Sequence, residues 1–188
     1  MALSTSDDAG RYHHGDLRRA LLDAGARLLR AGGVDAVTLR EAARAAGVSH
    51  NAPYRHFVSR EALLAAVSAE GFRDLRRRLE AADGGPKANA IGLGHIYLRF
   101  AAEERPHFLL MFGGVIDKAD FPDLAEAAAA ALAVLDRAVS GGGAESAAAE
   151  TLRAWALVHG LAHLVAERQI TPETARAVLG EEPRPPFR

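Results

Sequence analysis

Cysteine is absent from the 188-residue chain. That excludes disulfides, thiolate catalysis and thiolate-bound zinc, and it suits a reducing compartment. Long apolar runs are absent too. The longest uncharged stretch, Ala154–Ala166, has 13 residues, short of the ~20 that a membrane-spanning helix needs. The first ten residues, MALSTSDDAG, lack the basic start and apolar block of a secretory signal. The expectation is a cytoplasmic protein with no membrane partner. Neither a Gly-x-Ser-x-Gly elbow nor a Gly-x-x-x-x-Gly-Lys phosphate loop occurs. Catalysis is not expected, and no cofactor is implied.

Lysine is missing from residues 11–79, where thirteen arginines face seven carboxylates for a charge of +6. Residues 80–188 carry −5, and Asp7 and Asp8 bring the total to −1. The near-neutral sum conceals a basic front and an acidic back, so the front is the part suited to a polyanion. With 49% apolar and 25% charged residues, the chain has the makeup of a folded protein with a sizeable core.

What is present reads as helix throughout. No stretch sustains the two-residue alternation of a strand, and alanine, the best helix former, is abundant. Asp16–Arg30 places Leu17, Leu21, Ala24 and Leu28 on one face, and Gly32-Gly33 stops it. Thr38 with Glu41 three residues on has the form of a capping box opening a short helix to about Ala45. Gly47 breaks it, Ser49 caps a third short helix through about His56, and Ser59 caps a fourth from Arg60 to about Leu79. AADGGPK, 81–87, is the clearest linker and coincides with the change of charge sign. It divides a domain at 11–80 from one at 81–188, behind a tail at 1–10. Helices then follow at Asn89–Glu104, after Pro106, from Pro122 to Ser140, from Glu145 to about Ile170, and after Thr171-Pro172. A Gly141–Gly143 loop and a frayed EEPRPPFR end complete the chain. The expected fold is all-α: a three-helix head and a helical bundle behind it.

Residues 38–57, TLREAARAAGVSHNAPYRHF, hold two short helices around a tight turn at Gly47, the layout of a helix-turn-helix. Leu39, Ala42, Ala43, Val48, Tyr54 and Phe57 form the apolar wedge beneath. The second helix must present its first residues to base edges. Here these are Ser49, His50 and Asn51, all able to hydrogen-bond. Pro53 removes one N–H and disfavours helical backbone at Ala52, so a distorted helix entry is expected.

Residues 12–72, and above all GVSHNAPYRHFVSREALL, closely resemble the N-terminal domain of TetR/AcrR-type transcription regulators. The resemblance implies a double-stranded DNA operator as partner. It implies that Thr38 meets a backbone phosphate, that Ser49, His50 and Asn51 read bases, and that Tyr54 and His56 face phosphate. Arg60 stands where the family usually has lysine and would clamp phosphate at a helix start. The lesser alternatives are Tyr54 as a core aromatic with a wet hydroxyl and His56 as a solvated surface residue.

RAWALVHGLAHLV, with Trp155, His159 and Gly160, resembles the C-terminal domain named for its Trp-His-Gly pattern in one branch of these regulators. The resemblance implies a homodimer and an unidentified small-molecule effector. The interface would use helices 145–170 and 172–179, with Ala147, Ala148, Ala149 and Ala154 allowing close approach and Leu152, Leu157, Leu161 and Leu164 supplying area. The effector pocket would be lined by Tyr97, Phe100, Phe108, Met111, Phe112, Trp155 and His159. A filled core is the alternative for each. Three rival readings stand beside this one. His159, His163 and Glu167 at i, i+4 and i+8, joined by His95 or His107, have the spacing of a metal sensor. His159 and His163 also have the outer spacing of a zincin helix, but Gly160 occupies the place of the general-base glutamate. A helical protein adaptor would leave the basic front unexplained.

Overall fold

The computed structural model describes residues 14–82, 90–140 and 146–180. The expected 1–10 tail, most of the 81–87 linker, the Gly141–Gly143 loop and the final EEPRPPFR lie outside them. Among the described residues there are eight α-helices and no strand. They form two compact units that divide between Leu63 and Leu64.

The first unit begins with α1 (His14–Gly32). Its buried face is Leu21, Leu22, Ala24 and Leu29, while Leu17 and Leu28 are half-buried. The apolar stripe is thus rotated from the expected one. Gly33 takes φ 72° and starts a 3-10 turn, Val34–Ala36, which delivers fully buried Val37 to the core. Thr38 Oγ1 accepts the Glu41 N–H at 3.1 Å and opens α2 (Leu39–Ala45). The Glu41 carboxylate is engaged by Arg44 at 2.6–2.9 Å. Leu39, Ala42 and Ala43 are buried between α2 and α1.

In the second unit, α3 (Arg60–Ala82, counted here from Leu64) joins α4 (Ala90–Glu103), α5 (Arg105–Phe112), α6 (Pro122–Ser140), α7 (Ser146–Ala166) and α8 (Pro172–Leu179). Helix α4 is the hub and packs on α5, α6, α7 and α8. Two glycines leave room for side chains of neighbouring helices. A Cβ on Gly71 would meet Met111 Sδ at 2.7 Å, and one on Gly94 would meet Leu179 Cδ2 at 2.6 Å. Phe100, Phe108, Leu98, Leu110 and Met111 are among the largest fully buried side chains. Polar ties fix the helix ends. Arg78 donates to Asp74, Glu103 and Glu104, and Arg105 Nε donates to the Ala166 carbonyl at the end of α7.

Helix α7 stops four residues before the expected Ile170. Arg168 takes φ 61°. The Gln169 N–H then reaches the Leu164 carbonyl at 2.8 Å and the Arg168 N–H reaches Val165 at 2.9 Å. This is a Schellman closure with arginine in the left-handed position that glycine usually fills. Left-handed backbone costs a side-chain-bearing residue on the order of 1–2 kcal/mol, part of which glycine returns as chain entropy. Arg168→Gly is therefore expected to leave stability unchanged or raise it by up to about 1 kcal/mol, and thermal melting checks this. A clear loss would mean that the Arg168 side chain holds the turn.

Candidate nucleic-acid interface and ligand chamber

The turn after α2 decides what the first unit offers to a partner. Gly47 adopts φ +70°, the Val48 N–H bonds the Ala43 carbonyl at 3.0 Å, and the Gly47 N–H bonds the Arg44 carbonyl at 3.2 Å. This double closure ends α2 and turns the chain outward. Ser49, His50 and Asn51 follow, and all three are exposed. The third helix is not α-helical. It is a 3-10 segment, Ala52–Arg55, entered through an Ala52 N–H to Ser49 carbonyl bond of 3.0 Å. Pro53 accounts for this: it is buried, lacks an N–H and sits in the first turn. Its carbonyl accepts from both His56 and Phe57, each at 2.9 Å.

Phe57 is the floor of the head, 3% exposed, with the Arg18 guanidinium 5.4 Å from its ring centroid. Tyr54 is 59% exposed, so its aromatic body is not core. His56 is half-buried, and Thr38 is half-buried with its hydroxyl capping α2. Arg60, expected to clamp phosphate, makes two internal hydrogen bonds. Its Nε and Nη2 donate to the Val37 and Val34 carbonyls, both at 2.7 Å. Those donors brace the 34–37 turn: the Val37 carbonyl gains a partner, and the Val34 carbonyl, which already accepts the Val37 N–H at 3.1 Å, gains a second. Sequence reading missed this role, since a 23-residue separation leaves no local signal.

The second unit contains a chamber of about 310 Å³. Helix α3 contributes Phe72, Leu75 and Leu79, α4 contributes Leu93 and Tyr97, and α6 contributes its alanines with Leu132 and Leu135. Phe112, Trp155, Val158 and Lys118 complete it. Of the residues expected in the lining, Tyr97, Phe112 and Trp155 are there. Phe100, Phe108 and Met111 are not: at 0–2% exposure they are sealed core behind the wall. Phe108 packs edge-on to Tyr97 at 5.9 Å. The inner faces of α3 and α6 were missed, since their leucines and alanines read only as helix packing. Lys118 was missed as well, although the chain has just two lysines.

His159 stands behind the lining as its polar anchor. Its ring stacks on Trp155 at 4.7 Å and 19°, and its Nδ1 shares a 2.8 Å hydrogen bond with the Tyr97 hydroxyl. Burial, then the neighbouring His163 and Lys118, lower the imidazole from 6.5 to about 4. Burial also drives the Tyr97 phenol upward, offset in part by Trp155. Near neutral pH both groups are therefore uncharged, with phenol donor and imidazole acceptor. His159 and His163 lie ring to ring at 4.6 Å. Among the described residues no three histidines or carboxylates converge as a metal site, so the metal-sensor alternative gains no ligand cluster.

Because the folded state holds His159 below its ordinary value, its stabilising effect is complete above pH 6.5 and is lost as pH falls toward about 4. Denaturant melts across this window are expected to show a steeper loss in the native protein than in His159→Gln. Glutamine can still accept from Tyr97 but cannot titrate. Equal slopes would show that His159 is not held neutral.

On α7, Leu152 (60%), Leu157 (49%) and Leu164 (37%) remain exposed, whereas Leu161 is buried within its own chain. Gly160 lies on the exposed side, and a Cβ there would meet nothing within 4 Å.

Residues 21–67 match the family described as bacterial regulatory proteins, tetR family, and residues 90–181 match the tetracyclin repressor-like C-terminal domain. A protein of unknown function from Rhodococcus sp. RHA1 is 34% identical, over 90% of this chain and 95% of that one, with a TM-score of 0.76. The TetR family transcriptional regulator PfmR from Thermus thermophilus is 22% identical over 85% and 94% of the two chains, with a TM-score of 0.59. The multidrug binding protein EbrR, complexed with imidazole, is 20% identical over 95% of each, with a TM-score of 0.67. No curated protein matches the chain. With Ser49, His50 and Asn51 exposed on a helix-turn-helix and an apolar chamber in an all-helical unit, the chain belongs to the TetR family of bacterial transcription regulators.

Proposed function

We propose that this regulator is a cytoplasmic homodimeric repressor that leaves its operator when a small molecule enters the chamber of the second unit. The observation that carries the reading is the outward display of Ser49, His50 and Asn51 beyond the Gly47 turn. Asn51 suits adenine by a bidentate pair, and His50 suits guanine or phosphate. Thr38, Tyr54 and His56 serve as phosphate contacts, and the effector domain is taken to begin within α3, whose Phe72, Leu75 and Leu79 line the chamber, ahead of the expected 81–87 linker. Arg60 supports the head from within, leaving its remaining N–H groups and the start of α3 for phosphate.

A single head reads half a site, so two must act together about 34–36 Å apart. The exposed Leu152, Leu157 and Leu164 with open Gly160 support α7, aided by α8, as the dimer seam. A bound effector shifts the dimer away from DNA only through unequal affinity for the two states.

The experiment is a binding titration against a duplex from the chain's own upstream region, at several salt concentrations. Asn51→Ala is expected to relax discrimination at one base pair by about 1–3 kcal/mol, with its exposed side chain leaving the fold intact. Arg60→Ala is expected to lower the melting temperature, at about 1.5–3 kcal/mol for a charge-assisted bond, more than it flattens the salt slope. Gly160→Arg is expected to give a folded monomer by sedimentation, with operator affinity collapsed. A dimeric Gly160→Arg variant would move the seam elsewhere, and an Asn51→Ala variant with native specificity would remove that residue from base reading.

A further inference from the structure

Most of the chamber lining is apolar. Three lining residues carry a side-chain polar group: Tyr97, Trp155 and Lys118. The Tyr97 hydroxyl is already occupied by His159 Nδ1 at 2.8 Å. Lys118 is in a different position. Its Nζ lies 5.8 Å from the ring centroids of both Phe72 and Phe112. Among the described residues no carboxylate comes within ion-pair distance of it. The neighbouring Asp117 is turned back to cap its own 3-10 turn through the Ala119 N–H at 2.9 Å. A cation held against two aromatic faces at the edge of an oily chamber is stabilised in part by the rings. It still lacks a counter-charge, and its charge is felt as far as His159.

We infer that the effector is an amphipathic monoanion, with an apolar body in the chamber and a carboxylate against Lys118 Nζ. This rests on the second unit being the effector domain and narrows the class of effector. A neutral compound of the same shape would fill the chamber but strip water from Lys118 without replacing it. A cationic one would be repelled. At about 310 Å³ the chamber lies at the small end of small-molecule sites, which suits a medium-length chain or a compact ring system over a long lipid.

Trp155, the sole tryptophan, lines the chamber and reports on it directly. The test titrates octanoate, octanol and octylammonium into the full chain while following Trp155 emission and melting temperature. Octanoate is expected to bind roughly tenfold or more tightly than octanol, with octylammonium weakest. Lys118→Met should erase the octanoate advantage while changing octanol binding by no more than about twofold, an outcome that uniform burial would not produce. Lys118→Arg should keep the advantage, and Lys118→Glu should transfer it to octylammonium. Equal binding of octanoate and octanol to the native protein would overturn the anion assignment while leaving the chamber as an effector site. If none of the three compounds binds, the chamber reading falls, and the anion inference falls with it.

Discussion

The two hydrogen bonds that close α2 across Gly47 are the constraint on which the head depends. They hold because Gly47 sits at φ +70°, where a side chain would be strained. The chain must leave α2 sharply so that the next three residues project into water while Pro53 and Phe57 return to the core. A Schellman closure satisfies the last carbonyls of α2 and makes that turn together. Arg60 does the corresponding work at the opposite end by occupying the carbonyls of Val34 and Val37. The head is small, its core a few leucines and alanines with Val37, Pro53 and Phe57. Backbone groups tied off by side chains therefore matter more to it than to a larger domain.

The second unit solves a different problem, keeping a chamber open inside an alanine-rich bundle. Small side chains on α6 leave the space, and the large aromatics of α4, α5 and α7 wall it. In the Trp155, Tyr97 and His159 cluster the Tyr97 hydroxyl turns to His159 Nδ1 and the Trp155 ring stacks on the imidazole, so the wall can be polar behind and apolar in front. Among the described residues Lys118 is the one charged side chain of the lining, and a single charge in an apolar wall is what gives such a site chemical preference.

Much of the fold could be read from residue order, because helix ends carry local chemistry. Thr38 and Thr171 cap the helices expected of them, and α6 spans Pro122–Ser140 as expected. The misreadings have physical causes. Pro53 turned an expected α-helix into a 3-10 segment, a stronger effect than the anticipated distorted entry. Arg168 ended α7 early by entering left-handed backbone without the glycine that usually announces it. The exposure of Ser49, His50 and Asn51 was legible because their position follows from the turn. The chamber was only partly so: periodicity marks which residues face inward, but cannot separate Phe108 in the sealed core from Phe112 on the lining. Leu161 shows the same limit, buried in its own chain although it shares the apolar character of Leu157 and Leu164.

Two copies of the arginine-rich head must meet one duplex from the same side if this regulator works as proposed. Hydroxyl-radical footprinting on a duplex from the chain's own upstream region tests that requirement most directly. Two protected patches are expected on one face, about one helical turn apart, or 34–36 Å. A single patch, or protection spread evenly around the duplex, would contradict it.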